Sequence, residues 1–406
     1  MHTYHEHPGM SKLHPATYRQ RLTYGGWLRN TMTTVGQNSS IVQNNYIGRA
    51  ASARVLGKPF FMTEYSHNGF NQYSHEAAAM WAAYASLQDW QMLAPHANLV
   101  TLFHYPFQPW NFDGAENLAA VMNSLFCAFG WQRGDIQSAK HAVSFHVPEA
   151  VLKSVEYTGA IGSGYNLLFM LTRIGSDYRQ PVNPVADLNI VPRAFVGARS
   201  MGMYVELSEE REENLQILHE QVANLRRNRI LPAGNRTDVD RGIFESETGE
   251  ICADIRQHTL EIDTPRFQAM VLKQSKPAAL SALSVTSIST PCTIAAISLE
   301  NERSIVDSKR ILVVVGTMFM AENAVFSTEN FNDEIDVGDI QQVMRSGQFR
   351  FAVKTRNGVA PKVHALTMGG AREAEIPVTL ADGAVHFDLD TSALEYGTPY
   401  FEVVWQ

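Results

Sequence analysis

Residues 40–56 place Ile41, Tyr46, Ala50 and Val55 at roughly the spacing of one helix face, and Gly57 supplies a stop. The next segment, 58–64, predicts a short strand, because Phe60, Phe61 and Met62 are consecutive and apolar, as in a strand covered on both faces. Residues 75–93 are alanine-rich, with Met80, Ala83, Tyr84 and Leu87 at helical spacing, and predict a helix. A second apolar run, Leu99 to Phe103, predicts a strand that ends on His104 and Tyr105, and residues 116–130 predict another helix. Helices and strands that alternate with crossovers of this length imply parallel strands. Ligands of such sheets and barrels meet the carboxyl ends of the strands. The polar groups that fall there are Glu64, with Thr63, Tyr65 and His67 beside it, and the pair His104 and Tyr105.

From about residue 148 the pattern changes. Residues 148–240 combine an apolar stretch (166–174), a proline-containing connection and a charged helix at 207–230 with Leu215, Leu218, Val222 and Leu225 on one stripe. Acids lead that helix and arginines end it, which suits its dipole. Residues 241–406 read as β. Short branched or alternating runs recur at 260–262, 271–272, 293–297, 311–315, 349–353, 363–366, 376–380, 385–389 and 400–405. Asn357-Gly358 and Asp382-Gly383 are hairpin signals between them, and an antiparallel sandwich is expected, with Trp405 in its core. The expected units are thus 1–147, 148–240 and 241–406.

The stretch from Gly57 to Trp90, GKPFFMTEYSHNGFNQYSHEAAAMWAAYASLQDW, resembles the nucleophile region of clan A retaining glycoside hydrolases, which are (β/α)8 barrels. A Lys-Pro lead, a hydrophobic strand and a Thr-Glu-Tyr exit carry the likeness. The opening HTYHEHP resembles the end of the sixth strand of that family, with Tyr4 at the position of an aromatic hydroxyl close to the nucleophile. In the same reading Leu99 to Tyr105 is the eighth strand, and the helix near 116–130 with Arg133-Gly134-Asp135 closes the barrel. The segment from Ser246 to Val271 is similar to the β-rich accessory region that follows the barrel in bacterial members.

This resemblance implies a C-terminal portion of a (β/α)8 barrel followed by an antiparallel β-sandwich. It implies hydrolysis of β-linked saccharides, with Glu64 as nucleophile and Tyr4 as its orienting partner. His5, His7, Tyr65, His67, Asn71, His104, Tyr105 and Trp110 would then shape the sugar pocket, by donating to hydroxyls or stacking on the ring. No cofactor is required, since two carboxyl groups carry the chemistry. The family's acid/base sits at the end of the fourth strand, and no residue here matches it. The 147 residues of the first unit fall short of the roughly 250 that a barrel needs. The chain is therefore expected to be part of a longer enzyme. Glu6 and Glu76 are the nearest alternative acids, and neither matches the family position; Glu76 also suits the first turn of a helix. A secreted or periplasmic location follows from the resemblance alone.

Two further readings stand beside the glycosidase. A non-catalytic carbohydrate-binding or interaction protein predicts saccharide binding that ignores Glu64→Gln. A zinc hydrolase built on His2, His5, His7 and His14 predicts stoichiometric metal, although His-x-x-His-x-His is no usual zinc signature. A net charge of −8 argues against general nucleic-acid binding, and the longest apolar runs fall far short of the ~20 residues a membrane span takes. Cys127, Cys252 and Cys292 lack metal or redox spacing; Cys127 suits packing, and a Cys252–Cys292 disulfide is open.

Overall fold

The computed structural model describes residues 41, 45–65, 71–95, 118–153, 157–193, 195–197, 210–326, 333–336 and 342–405, together with short strands at 2–3, 10–12 and 33–34. Tyr4, Glu6, His5, His7, His14, His67, His104, Tyr105, Trp110 and the expected strand from Leu99 to Phe103 lie outside these residues.

Helix α1 (Asn45–Ala53) buries Ile47 and Ala51, and strand β1 (Phe61–Tyr65) follows. Helix α2 (Ala77–Leu87) then leads to strand β2 (Met92–Pro95), which runs parallel to β1 with Phe61 opposite Met92 and Met62 opposite Leu93. This is a strand–helix–strand crossover of the expected kind, but it closes earlier than the sequence pattern indicates. The helix stops at Leu87 instead of running to residue 93, because Asp89 takes a left-handed backbone with φ 52°. Gln88 fixes that stop. Its side-chain amide is buried, donates to the carbonyls of Phe169 and Thr172 (2.8 and 2.7 Å), and accepts from the Ile174 amide (3.0 Å).

Helix α3 (Leu118–Phe126) continues as a π-helical turn, Cys127–Gln132. Strands β3 (Ala142–His146), β4 (Arg173–Asp177) and β5 (Leu188–Ile190) form a second parallel group in the order β4-β3-β5. Val55, just past α1, bridges Ser176 of β4 in parallel. Among the described residues these five strands form two groups and not a closed ring. Helix α4 (Glu210–Arg227) buries Ile217, Leu218, Val222 and Leu225, whereas Leu215, expected on that stripe, is 42% exposed and Ile217 takes its place.

From Ile243 onward most of the described chain is antiparallel sheet, the greater part of it in fourteen strands. These begin with β6 (Ile243–Glu245), β7 (Ile251–Asp254), β8 (Thr259–Asp263), β9 (Phe267–Leu272), β10 (Ala278–Ala279), β11 (Leu283–Ile288), β12 (Cys292–Ser298) and β13 (Arg310–Gly316). There follow β14 (Gln348–Lys354), β15 (Lys362–Leu366), β16 (Arg372–Glu375), β17 (Thr379–Ala381), β18 (Ala384–Asp390) and β19 (Tyr400–Val404). Nine of these make one sheet in the order β6-β7-β8-β9-β12-β13-β19-β15-β16, and five make another in the order β10-β11-β14-β18-β17. The two sheets are sandwich-like, closing on a core of Ile294, Val313, Val315 and Phe401 from one side and Val285, Phe349, Phe351 and Phe387 from the other. Trp405 lies in this core, and its indole N–H donates to the Val359 carbonyl (2.8 Å).

The nine-stranded sheet is covered on its other face as well. Ala295, Ile297, Leu312, Val314 and Phe267 join the core that holds α2 and α3. Every residue of β9 and β12 is therefore buried, and so is all of β13 except Arg310. Every residue of α2 is buried too, so it is a helix apolar all round and not the one-faced helix its spacing suggested. Its alanines allow the close approach this requires.

Of the two expected hairpins one forms. Asp382 and Gly383, with φ 51° and 70°, turn β17 into β18 as a two-residue loop with both central residues left-handed. Neither Asn357 nor Gly358 has positive φ, and the chain there crosses from one sheet to the other. All three cysteines are unpaired and buried. Cys252 on β7 and Cys292 on β12 have β8 and β9 between them, a separation of roughly 14 Å at sheet spacing, too wide for a disulfide.

Candidate functional site

The parallel strands all begin at one end of the α/β part, and their carboxyl ends lie at the other. Glu64 is the fourth of the five residues of β1, at that second end. Pro95 on β2 stands opposite Tyr65 there, and the strands of the second parallel group end at His146 on β3 and Asp177 on β4. His146 and Asp177 stand opposite each other in register, and the imidazole Nδ1 of His146 is buried without a hydrogen-bond partner. Asp177 is saturated. Its carboxylate accepts from the Arg179 and Gln180 amides (2.8 and 3.2 Å) and from the Asn183 side chain (2.8 Å). Burial pushes its pKa upward, but these hydrogen bonds and the Arg179 charge outweigh that and hold it below the usual carboxylate range. Asp177 therefore organises its loop. Neither residue is among those the sequence pattern points to, because it predicts no parallel strand at 142–146 or 173–177.

Tyr65 is placed differently from expectation. Met62 and Tyr65 are both buried in the same core, across a register irregularity in the pairing of β1 with β2. The Tyr65 ring centroid lies 4.1 Å from that of Trp81 on α2, and its hydroxyl accepts from the Asn123 amide on α3 (2.9 Å). Asn123 in turn accepts from the Cys127 thiol at 3.6 Å. Burial, reinforced by the Cys127 thiol, raises the phenol far above its ordinary pKa, and burial pushes Cys127 up to about 12. Tyr65 is a core residue of the helix layer and has no free edge for a sugar. Asn71, also expected in the pocket, is buried and accepts from the Tyr73 amide (2.8 Å), a local turn that leads the chain into α2.

Glu76 is buried just before α2 and accepts from the Ile41 amide (3.2 Å). Its neighbour His75 contacts the nine-stranded sheet: Thr293 donates its hydroxyl proton to the His75 carbonyl (2.7 Å). Both residues tie α2 to its surroundings. Among the described residues no three His, Cys, Asp or Glu side chains are grouped to hold a metal, and no helix is long and apolar enough to cross a membrane.

Two cavities lie elsewhere. One, of about 350 Å³, opens at the starts of the parallel strands and includes Arg54, Lys58, Asp89 and Arg173. The other, of about 420 Å³, lies on the outside of the five-stranded sheet, with the polar residues Thr286, Arg350, Thr379, His386 and Asp388 on its walls. Neither the family models, nor the curated proteins, nor the solved structures compared with this chain match it.

Proposed function

We propose that this chain carries the nucleophile-bearing part of a retaining β-glycosidase acting on oligo- or polysaccharide, with β1, α2 and β2 as one unit of a (β/α)8 barrel and the two antiparallel sheets as its accessory sandwich. The observation that supports the reading most is the parallel pairing of β1 with β2 across α2, in which Glu64 stands one residue before the carboxyl end of its strand. Carboxyl ends of parallel strands are where barrel enzymes keep their reacting groups. In this reading the Glu64 carboxylate attacks the anomeric carbon and the glycosidic oxygen leaves with a proton from a second carboxyl about 5–5.5 Å away; water then releases the sugar. Tyr4 would orient the nucleophile, and His5, His7, His67, His104, Tyr105 and Trp110 would contact the glycone.

The test separates the nucleophile from the acid. A dinitrophenyl 2-deoxy-2-fluoro-β-glycoside needs no protonation of its leaving group, so a competent nucleophile displaces dinitrophenolate and keeps the sugar as an ester. Across a panel of such glycosides, intact-protein mass spectrometry is expected to show one added fluoroglycosyl group, mapped to the peptide containing Glu64, and none in Glu64→Gln. Absence of any adduct, or one that persists in the variant, overturns the reading. The polar groove on the five-stranded sheet favours a second one, saccharide binding without catalysis, and retained binding in Glu64→Gln with no adduct in either protein would support it.

A further inference from the structure

Among the described residues, the cavity at the strand starts carries more positive than negative charge. Arg54, at the end of α1, has a side chain only 6% exposed, and its guanidinium donates to the Gln88 carbonyl. Arg173, the first residue of β4, is 24% exposed and donates to Asp89 at 3.0 Å. Asp89 is shared: Arg54 Nη2 lies 3.9 Å from the same carboxylate oxygen. Lys58, exposed on the turn before β1, adds a third cation to the walls, which are completed by Leu56, Gly57, Pro59, Gln91, Ala142 and Val185. Among the described residues three cations thus face one carboxylate that is itself 45% exposed. The Nε atoms of both Arg54 and Arg173 are buried without a hydrogen-bond partner. A buried donor left unmade is costly, and a guanidinium taken out of water is stable only when paired.

We propose that this cavity binds a small molecule carrying a phosphate group, as free phosphate or a phosphate monoester, with Arg173 and Lys58 as its principal contacts and Arg54 as the buried counter-charge. A tetrahedral dianion supplies the two negative charges that Asp89 does not, and its several oxygens suit the planar forks of two arginines. The volume, about 350 Å³, falls at the small end of the range for ligand pockets. Desolvation, followed by the opposing effects of Asp89 and Arg173, leaves Arg54 with a lowered pKa, as expected of a cation short of counter-charge. The site is separate from Glu64: Pro59 and Glu64 are five residues apart along an extended segment, roughly 16 Å, so the two lie at opposite ends of the strands.

The experiment is calorimetric titration of the full chain with inorganic phosphate and with glycerol 2-phosphate, against sodium chloride at matched ionic strength. One saturable site is expected for the phosphates and none for chloride. Arg173→Gln is expected to weaken binding at least tenfold and Lys58→Ala several-fold. Arg303→Gln, on an exposed turn outside both cavities, leaves it unchanged. Tighter binding of the ester or of the free anion identifies the source, and either supports the site. Should Arg173→Gln fail to fold, Lys58→Glu at the exposed rim gives the same reading. The proposal is overturned if neither phosphate saturates, or if affinity survives both Lys58→Glu and any folded Arg173 variant.

Discussion

The nine-stranded sheet meets a second sheet on one face and helices on the other, and the two contacts are built by different means. Against the five-stranded sheet the contact is aliphatic and aromatic, alternating along each strand, with Phe351 and Phe387 on adjacent strands of that second sheet stacked on each other at 4.4 Å. Against the helices it combines fitted shapes with buried charge. Phe126 of α3 meets Phe267 edge to face at 5.2 Å, and Gly316 leaves room for Met122, whose sulfur would lie 2.5 Å from any Cβ there. At the margin, Glu247 accepts from the Lys140 and His141 amides and from the His141 ring and Thr172 hydroxyl. Asp135 takes Arg133 from its own segment and Arg266 from the sheet. The lesson is that period two suffices to join sheet to sheet. Joining sheet to helix takes residue-specific contacts.

If the helix-side face is as integral as this suggests, Phe126→Ala should destabilise the whole chain by about 3–5 kcal/mol, as truncation of a buried phenylalanine does. Phe351→Ala in the other core should cost about the same and shift the same single urea transition. Two transitions, each moved by only one variant, would show that the sheet does not couple the halves. Glu247→Ala is expected to cost about 3 kcal/mol, since it strands the Lys140 and His141 amides, while Glu247→Gln retains one acceptor and should cost about half as much. Equal, small losses in both would mean that the clamp is ornamental and shape alone joins sheet to helix.

The smallest effect is expected at Glu402, on the helix-side face of the sheet, where Arg310 reaches it from the neighbouring β13 and Arg372 from β16, across β15. Burial pushes this carboxyl up, but the hydrogen bonds from Arg372 and Arg310 prevail and hold it below the ordinary range. A depressed folded pKa contributes stability above the unfolded value, near pH 4, that is lost as pH falls through the folded one. Thermal melts should therefore decline between about pH 4.5 and 3, less steeply in Glu402→Gln, which should cost ~1 kcal/mol at neutral pH because both arginines are about half exposed. An unchanged acid slope in the variant would assign the decline to other carboxylates such as Asp177.

The same contrast explains what the sequence discloses. The sandwich-side strands were legible because Phe349 to Val353 and Val385 to Leu389 alternate or run apolar between turn residues, and the Asp382-Gly383 turn is local chemistry. Ile311 to Val315 reads as a strand, yet its two-sided burial depends on helices nearly two hundred residues earlier. The end of α2 was misjudged because Trp90, Met92 and Leu93 prolong the apolar spacing, while the left-handed Asp89 and the buried Gln88 amide that stop it have no periodic signature. Asn123 and Glu247 escaped for a related reason, since each finds its partners at separations of 58 and about 106 residues. Of the candidate site, Glu64 at a parallel strand end was readable from the abrupt switch of apolar run to carboxylate; the inward turn of Tyr65 was not, because a register irregularity overrides alternation.

A sheet this broad and apolar still ends somewhere, and the manner of its ending bears on how the chain behaves in company. The last strand, β16, reads Arg-Glu-Ala-Glu and is exposed throughout. Its open row of amides and carbonyls is the natural template for another chain's strand, and a charged, apolar-poor edge is how sheets decline that pairing. Arg372 is engaged by Glu402 and Glu375 by Lys362 of the adjacent strand, so charged side chains along this edge are already committed within the molecule. A second chain pairing there would have to set its strand beside these charges and disturb their ion pairs, which guards the edge of the largest sheet in the molecule.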